Sequence, residues 1–293
     1  MIWTPERNRQ QGQVVAGLYQ RAAAVPCERL AVIAGGLPGG DKPAVLAAAS
    51  VDRGRYLTVS VDAVLEGLAA AGMIPVVAGL SPMEAADLVH AEAQFVGKRV
   101  AMCALADGRN LILDVSMASA QSVTSWLSAL RSAAYAVAGV FADLSIEESV
   151  RRSDAAHRRG EEEYRRGRGY GGRYIPAEAI RALAASPGDE ARSNCVPAGG
   201  GAWDAWFPGG EVADMIDAWR AGRMSLADLA WRFRARNWPA VPSPCPPDMQ
   251  EARPAIDDLE PYVLGSFDDV VLAYDLGRLA DADYETLAHA AAA

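Results

Sequence analysis

Between Gly36 and Pro43 the chain reads Gly36-Leu37-Pro38-Gly39-Gly40-Asp41-Lys42-Pro43. A Gly-x-x-x-x-Gly-Lys-Ser/Thr loop binds phosphate by pointing backbone N–H groups and a helix N-terminus at its oxygens. A lysine and a hydroxyl-held magnesium neutralise the remaining charge. In that register Gly36, Gly39, Gly40 and Lys42 are the candidate phosphate-binding residues. Asp41 stands at the second glycine position, and a carboxylate roughly 4 Å from a phosphate charge repels it by about 4 kcal/mol at an effective dielectric near 20. Pro43 replaces the Ser/Thr, offering neither hydroxyl nor N–H, and it biases Lys42 away from helical geometry. A glycine-rich turn that caps a helix accounts for the same residues without any phosphate. Of 28 basic residues only Lys42 and Lys98 are lysine, which makes a lysine inside this loop informative.

Such a loop needs a strand to enter it and a helix to leave it. Residues 30–34 form a short apolar run and 44–49 are helix-compatible, which predicts strand, turn, helix. Residues 56–59, 111–113 and 136–141 could add three more strands. Helical patterns lie between them at 61–71, 82–106, 120–134 and 146–157, so the expected fold class is α/β with a parallel sheet in three layers. Residues 158–173, dense in arginine and glycine, read as a mobile surface loop before a short helix at Pro176. The sheet's carboxyl edge is where open α/β sheets bind ligands. Asp114 and Ser116 fall at the end of the third strand and Asp62 just after the second. Each has a plainer reading too: Asp114 as a turn residue, and Asp62 as a first-turn carboxylate favoured by the helix dipole.

The chain has 293 residues, about half of them apolar, enough for one sizeable core and a smaller second unit. The division expected is 1–187 as the main domain, 188–208 as a Gly/Ala-rich linker, and 209–293 as a helical extension. The extension repeats itself weakly: residues 218–228, around Trp219, are echoed by 273–283, around Tyr274, as two small helix pairs. The Pro-rich stretch 239–254 should separate them as an extended spacer, and Trp219 and Tyr274 should be buried at equivalent positions. A net charge of −9 gives a nucleic-acid partner little support. Cys27, Cys103, Cys195 and Cys245 are far apart with no Cys-x-x-Cys spacing, so neither a metal site nor a disulfide framework is expected. No segment is apolar and long enough for a signal or a membrane span, which suggests a cytoplasmic protein.

Residues 4–180 resemble the zeta-toxin family of P-loop kinases, long variants included. The resemblance rests on Gly35-Gly36-Leu37-Pro38-Gly39, Met73-Ile74-Pro75, Gly79-Leu80-Ser81-Pro82-Met83-Glu84-Ala85 with His90 and Glu92, Ala106-Asp107-Gly108-Arg109-Asn110-Leu111-Ile112-Leu113-Asp114, and Gly171-Gly172-Arg173-Tyr174-Ile175-Pro176. It implies a P-loop kinase-like fold that phosphorylates a nucleotide sugar of the UDP-N-acetylglucosamine class with ATP and magnesium. It also implies a possible antitoxin or other protein partner. Carried over, Asp62 would take or orient the substrate hydroxyl's proton, Arg173 would stabilise the transferring phosphoryl group, and Glu92, Asp114 and Ser116 would hold substrate. Glu92 could equally be a solvated helix charge, and Arg173 one more arginine in a basic loop. Ala156 stands where the family has an arginine, for which Arg152, Arg158 and Arg159 are the candidate substitutes. With Asp41 and Pro43, this departure implies impaired ATP use. The alternatives are an inactive relative that binds ligand, or an interaction protein whose C-terminal repeats bind a partner or fold back on the kinase domain.

Overall fold

The computed structural model describes residues 3–185, 210–245 and 247–292. The expected linker at 188–208, and Cys195 within it, lie outside the described residues. Helix α1 (Pro5–Gln20) precedes a four-stranded parallel sheet of β1 (Leu30–Gly36), β2 (Leu57–Ser60), β3 (Leu111–Asp114) and β4 (Ala136–Ala142). The strand order is β2-β3-β1-β4, with Ala34 opposite Asp114 and Ser60 opposite Asp114 in register. All carboxyl ends therefore meet along one edge, where the phosphate loop, Asp62 and Asp114 are found.

Alternation along the strands divides the core. Ala31, Ile33, Leu111, Leu113, Leu57 and Val59 face a large cluster shared with α1, α3 (Val61–Ala70), α4 (His90–Ala106) and α5 (Ala120–Ser132). Val32, Ala34 and Ile112 face a smaller cluster closed by Leu46 of α2 (Lys42–Ala48). This is the period-2 pattern of a sheet covered on both faces.

Several boundaries differ from the sequence expectation. Helix α2 starts at Lys42, two residues early, because Asp41 Oδ1 accepts the Ala44 N–H at 3.1 Å and caps it. Pro43 sits in the first turn, where its missing N–H costs nothing, so it does not push Lys42 out of the helix. The helix expected over 82–106 opens instead as a turn and a 3-10 segment, Ala86–Val89, because Ser81 and Glu84 bond each other's N–H groups reciprocally. The segment 158–173 is not all loop. Helix α6 runs Ile146–Arg165, its polar surface laced by Glu148–Arg152, Asp154–Arg158 and Glu162–Arg166 pairs one turn apart. Helix α7 (Ala177–Ala184) follows Pro176.

The C-terminal segments form the two helix pairs, α8 (Glu211–Arg220) with α9 (Leu226–Ala235) and α10 (Asp268–Asp275) with α11 (Asp281–Ala292). Trp219 and Tyr274 are equivalent but only half-buried, not buried, each lying near the exposed end of its first helix. The Pro-rich stretch is extended only in its first half. Residues Pro247–Ala255 coil into 3-10 turns whose Met249, Ala252 and Ala255, spaced by three, bury against Ala179, Ile180 and Leu183 of α7. The extension folds back on the sheet domain rather than standing apart. Arg99 of α4, fully buried, donates to both Asp275 oxygens at 2.9 and 2.5 Å, and Lys98 pairs with Asp268 at 2.6 Å.

Candidate active site

The candidate phosphate loop, residues 36–43, follows β1 and is closed on itself. Gly40 N–H donates to the Leu37 carbonyl and Lys42 N–H to the Gly40 carbonyl, so neither is turned outward. Ser149 of α6 donates to the Pro38 carbonyl at 2.7 Å. The Asp41 carboxylate caps α2, occupying the helix N-terminus that a phosphate would use. Lys42 Nζ donates to Asp114 Oδ1 at 2.5 Å and to the Val115 carbonyl at 2.8 Å. Two candidates assigned to opposite sides of the site, phosphate and substrate, are thus one ion pair. Of the three arginines that could replace the residue missing at Ala156, Arg152 is the one whose stem lies against Gly39. Its Nε is held by Glu148 at 2.6 Å, while Arg158 is largely exposed and paired to Asp154.

On the other side of the edge, Ser60 Oγ caps α3 and leaves Asp62 in its first turn, 60% exposed. Arg173 Nη1 donates to Asp62 Oδ1 at 2.8 Å and to Asp257 Oδ1 at 2.6 Å, and Nη2 donates to the Pro254 carbonyl at 2.7 Å. Arg173 is therefore a buried, doubly paired cation and not one more loop arginine. Burial alone would lower its pKa, but Asp257 and Asp62 outweigh that and raise it. His90 lies beside it. Its Nε2 meets the Ile256 carbonyl at 2.8 Å, which fixes the proton there and leaves Nδ1 to accept from Arg173 Nη2 at 3.4 Å. Burial, then the Arg173 charge, lower the His90 pKa and keep the ring neutral.

Arg173 is placed by a staple that sequence reasoning missed. Glu161 Oε1 accepts from Ser81 Oγ at 2.6 Å and Gly172 N at 3.0 Å, and His157 Nδ1 bonds the Gly172 carbonyl at 2.7 Å. Burial pushes the Glu161 carboxyl up, but the Ser81 and Gly172 donors hold it below its ordinary value. The contact requires glycine on both sides, since a Cβ on Gly160 would lie 2.5 Å from Gly172 Cα and one on Gly172 2.0 Å from the His157 carbonyl. His157 and Glu161, four apart on α6, were the available signal.

The two remaining candidates are engaged within the chain. Glu92 is buried, not a solvated helix charge, and its oxygens accept from Arg7 Nε (2.7 Å), Arg7 Nη2 (2.6 Å) and Gln11 Nε2 (2.6 Å) of α1. It ties α4 to α1 instead of joining the Asp62–Arg173 pair. Ser116 Oγ donates to Asp258 at 2.8 Å. Asp257 and Asp258 lie more than eighty residues from Arg173 and Ser116 in sequence, and no local pattern marked them.

Against known proteins, residues 29–193 match the Zeta toxin family, more than half of the chain. The chain belongs to the zeta toxin family. Its parallel sheet flanked by helices is the P-loop kinase-like fold of that family, with the C-terminal helices added. No curated protein and no solved structure gave a match. Among the described residues no helix is long and apolar enough to cross a membrane.

Proposed function

We propose that this member of the zeta toxin family is directed at a nucleotide sugar of the UDP-N-acetylglucosamine class and uses ATP poorly, so that phosphate transfer is slow or lost. The observation that carries this is the loop: Asp41 caps α2 with its own carboxylate, and Lys42 is turned to Asp114. The residues present do not fit ATP-magnesium. Pro43 supplies no hydroxyl for the metal, Gly40 and Lys42 N–H groups are spent within the loop, and a negative charge stands at the helix N-terminus.

On the substrate side Asp62 stays exposed, while Glu92, Asp114 and Ser116 are bonded within the chain. Asp62, exposed at the sheet edge and 2.8 Å from Arg173, would orient a substrate hydroxyl and accept its proton. Arg173 Nε is buried with no partner among the described residues, leaving a donor that a ligand oxygen would satisfy. The second reading, a relative that binds without transferring, is favoured by the same loop. Family membership supports a toxin–antitoxin setting, with an antitoxin as the protein partner to look for, and the absence of a long basic run in the sequence speaks against nucleic acid.

The test is turnover of ATP, magnesium and UDP-N-acetylglucosamine by the full chain, read as phosphorylated sugar nucleotide. The expected rate lies well below about 1 per second, the lower end of the kinase range. A faster rate, abolished by Asp62→Ala, overturns the impaired reading and makes Arg152 the first candidate for the cation missing at Ala156.

A further inference from the structure

Residues 254–259 cross the carboxyl edge of the sheet and take up the groups on which the substrate side depends. The Pro254 carbonyl and Asp257 hold Arg173. The Ile256 carbonyl accepts from His90 Nε2 at 2.8 Å and Gln94 Nε2 at 3.2 Å. Asp258 Oδ1 accepts from Ser116 N (2.9 Å), Ser116 Oγ (2.8 Å) and Met117 N (2.8 Å), and its Oδ2 from Ala118 N (2.9 Å) and Ser119 N (3.2 Å).

Five donors converging at the start of α5 make an anion-binding nest, and its occupant is a fully buried carboxylate of the same chain. Helix α5 has its own cap, Ser119 Oγ accepting the Ser122 N–H at 3.2 Å, so the four N–H groups held by Asp258 lie ahead of the helix's first turn. Charge balance does not require Asp257, because Arg173 already has Asp62. Two carboxylates thus stand beside the arginine and hydroxyl at which a sugar diphosphate would place its own negative charge.

We propose that residues 254–259 are a built-in competitor of the nucleotide sugar: Asp258 fills the anion nest, Asp257 holds Arg173, and the cleft accepts substrate fully only when this strap lifts. The inference rests on the nucleotide-sugar reading above and adds its regulation. Observed affinity is then the intrinsic affinity reduced by the fraction of molecules with the strap open.

Calorimetric titration of the full chain with UDP-N-acetylglucosamine, alongside the Asp257→Asn/Asp258→Asn variant, tests it. At least tenfold tighter binding by the variant is expected. Unchanged or weaker binding by a folded variant overturns the strap and leaves the nucleotide-sugar reading in place. No binding by either protein overturns that reading and the strap with it. If the double variant does not fold, Gln94→Leu loosens the strap from the Ile256 side without touching the nest, and must tighten binding in the same direction. Hydrogen exchange on the wild-type chain gives an independent arm. Saturating UDP-N-acetylglucosamine should speed exchange at 254–259, and unchanged or slower exchange there refutes displacement.

Discussion

Replacing Asp41 with glycine and Pro43 with threonine in one chain tests the diagnosis of the phosphate loop directly. At roughly 4 Å a carboxylate–phosphate repulsion is about 1 kcal/mol in water and about 4 kcal/mol at an effective dielectric of 20. Asp41 is exposed, so the lower half of that range applies to the charge term. The threonine restores a backbone donor and a metal-binding hydroxyl, each hydrogen bond adding about 1 kcal/mol. A total of about 3–4.5 kcal/mol corresponds to a gain of about 150- to 2000-fold in affinity for ATP-magnesium. The same change removes the Asp41 cap from α2, a loss of about 1 kcal/mol that should lower the ligand-free Tm. Calorimetry with and without magnesium, paired with thermal unfolding, reads both terms. Tighter binding together with lower stability is the expected signature. A double variant that binds no better than wild type, or a wild type that already binds in the micromolar range with magnesium dependence, refutes the reasoning.

Other perturbations address how the extension and the arginine are held. Arg99→Met leaves Asp275 buried without its partner and should destabilise the full chain by about 3–5 kcal/mol in urea unfolding; a loss below about 1 kcal/mol contradicts the locking role of this pair. Gly172→Ala drives a Cβ into the His157 carbonyl and should displace the loop carrying Arg173, seen as lost UDP-N-acetylglucosamine binding with the far-UV spectrum intact; retained affinity would contradict it. Burial pushes the Asp269 carboxyl up to about 6 from 3.8, so its protonated form suits the fold better. Its contribution is full below about pH 4 and lost as pH rises through about 6, and Asp269→Asn should flatten the stability change across that window.

The short apolar runs at 30–34, 56–59, 111–113 and 136–141, interleaved with helical patterns, and the spacing of glycines before Lys42 carried the fold class, because run length and strand-turn-helix chemistry are local properties of the chain. The Zeta toxin match at 29–193 agrees with what those local motifs implied. The starts of α3, α5 and α6 coincide with the expected ones, and each follows a serine that caps it. The length of α6, by contrast, depended on side-chain pairs one turn apart and on Gly160 meeting Gly172. The repeated segments around Trp219 and Tyr274 announced two helix pairs, but not that Lys98 and Arg99 would fix the extension to α4.

What the residues at the sheet edge actually touch was decided by tertiary structure alone. Lys42 meets Asp114 across 72 positions, Arg173 meets Asp257 across 84, and Asp258 reaches Ser116 across 142. Hydrogen bonds between such distant residues leave no trace in periodicity or local propensity, because they form only when the packed strands and the returning extension bring both partners to one edge. Residue types at Asp41 and Pro43 sufficed to question ATP binding, since a charge and a missing donor act wherever the loop goes. That residues 254–259 bond to Arg173 and Ser116 followed only from where they come to rest.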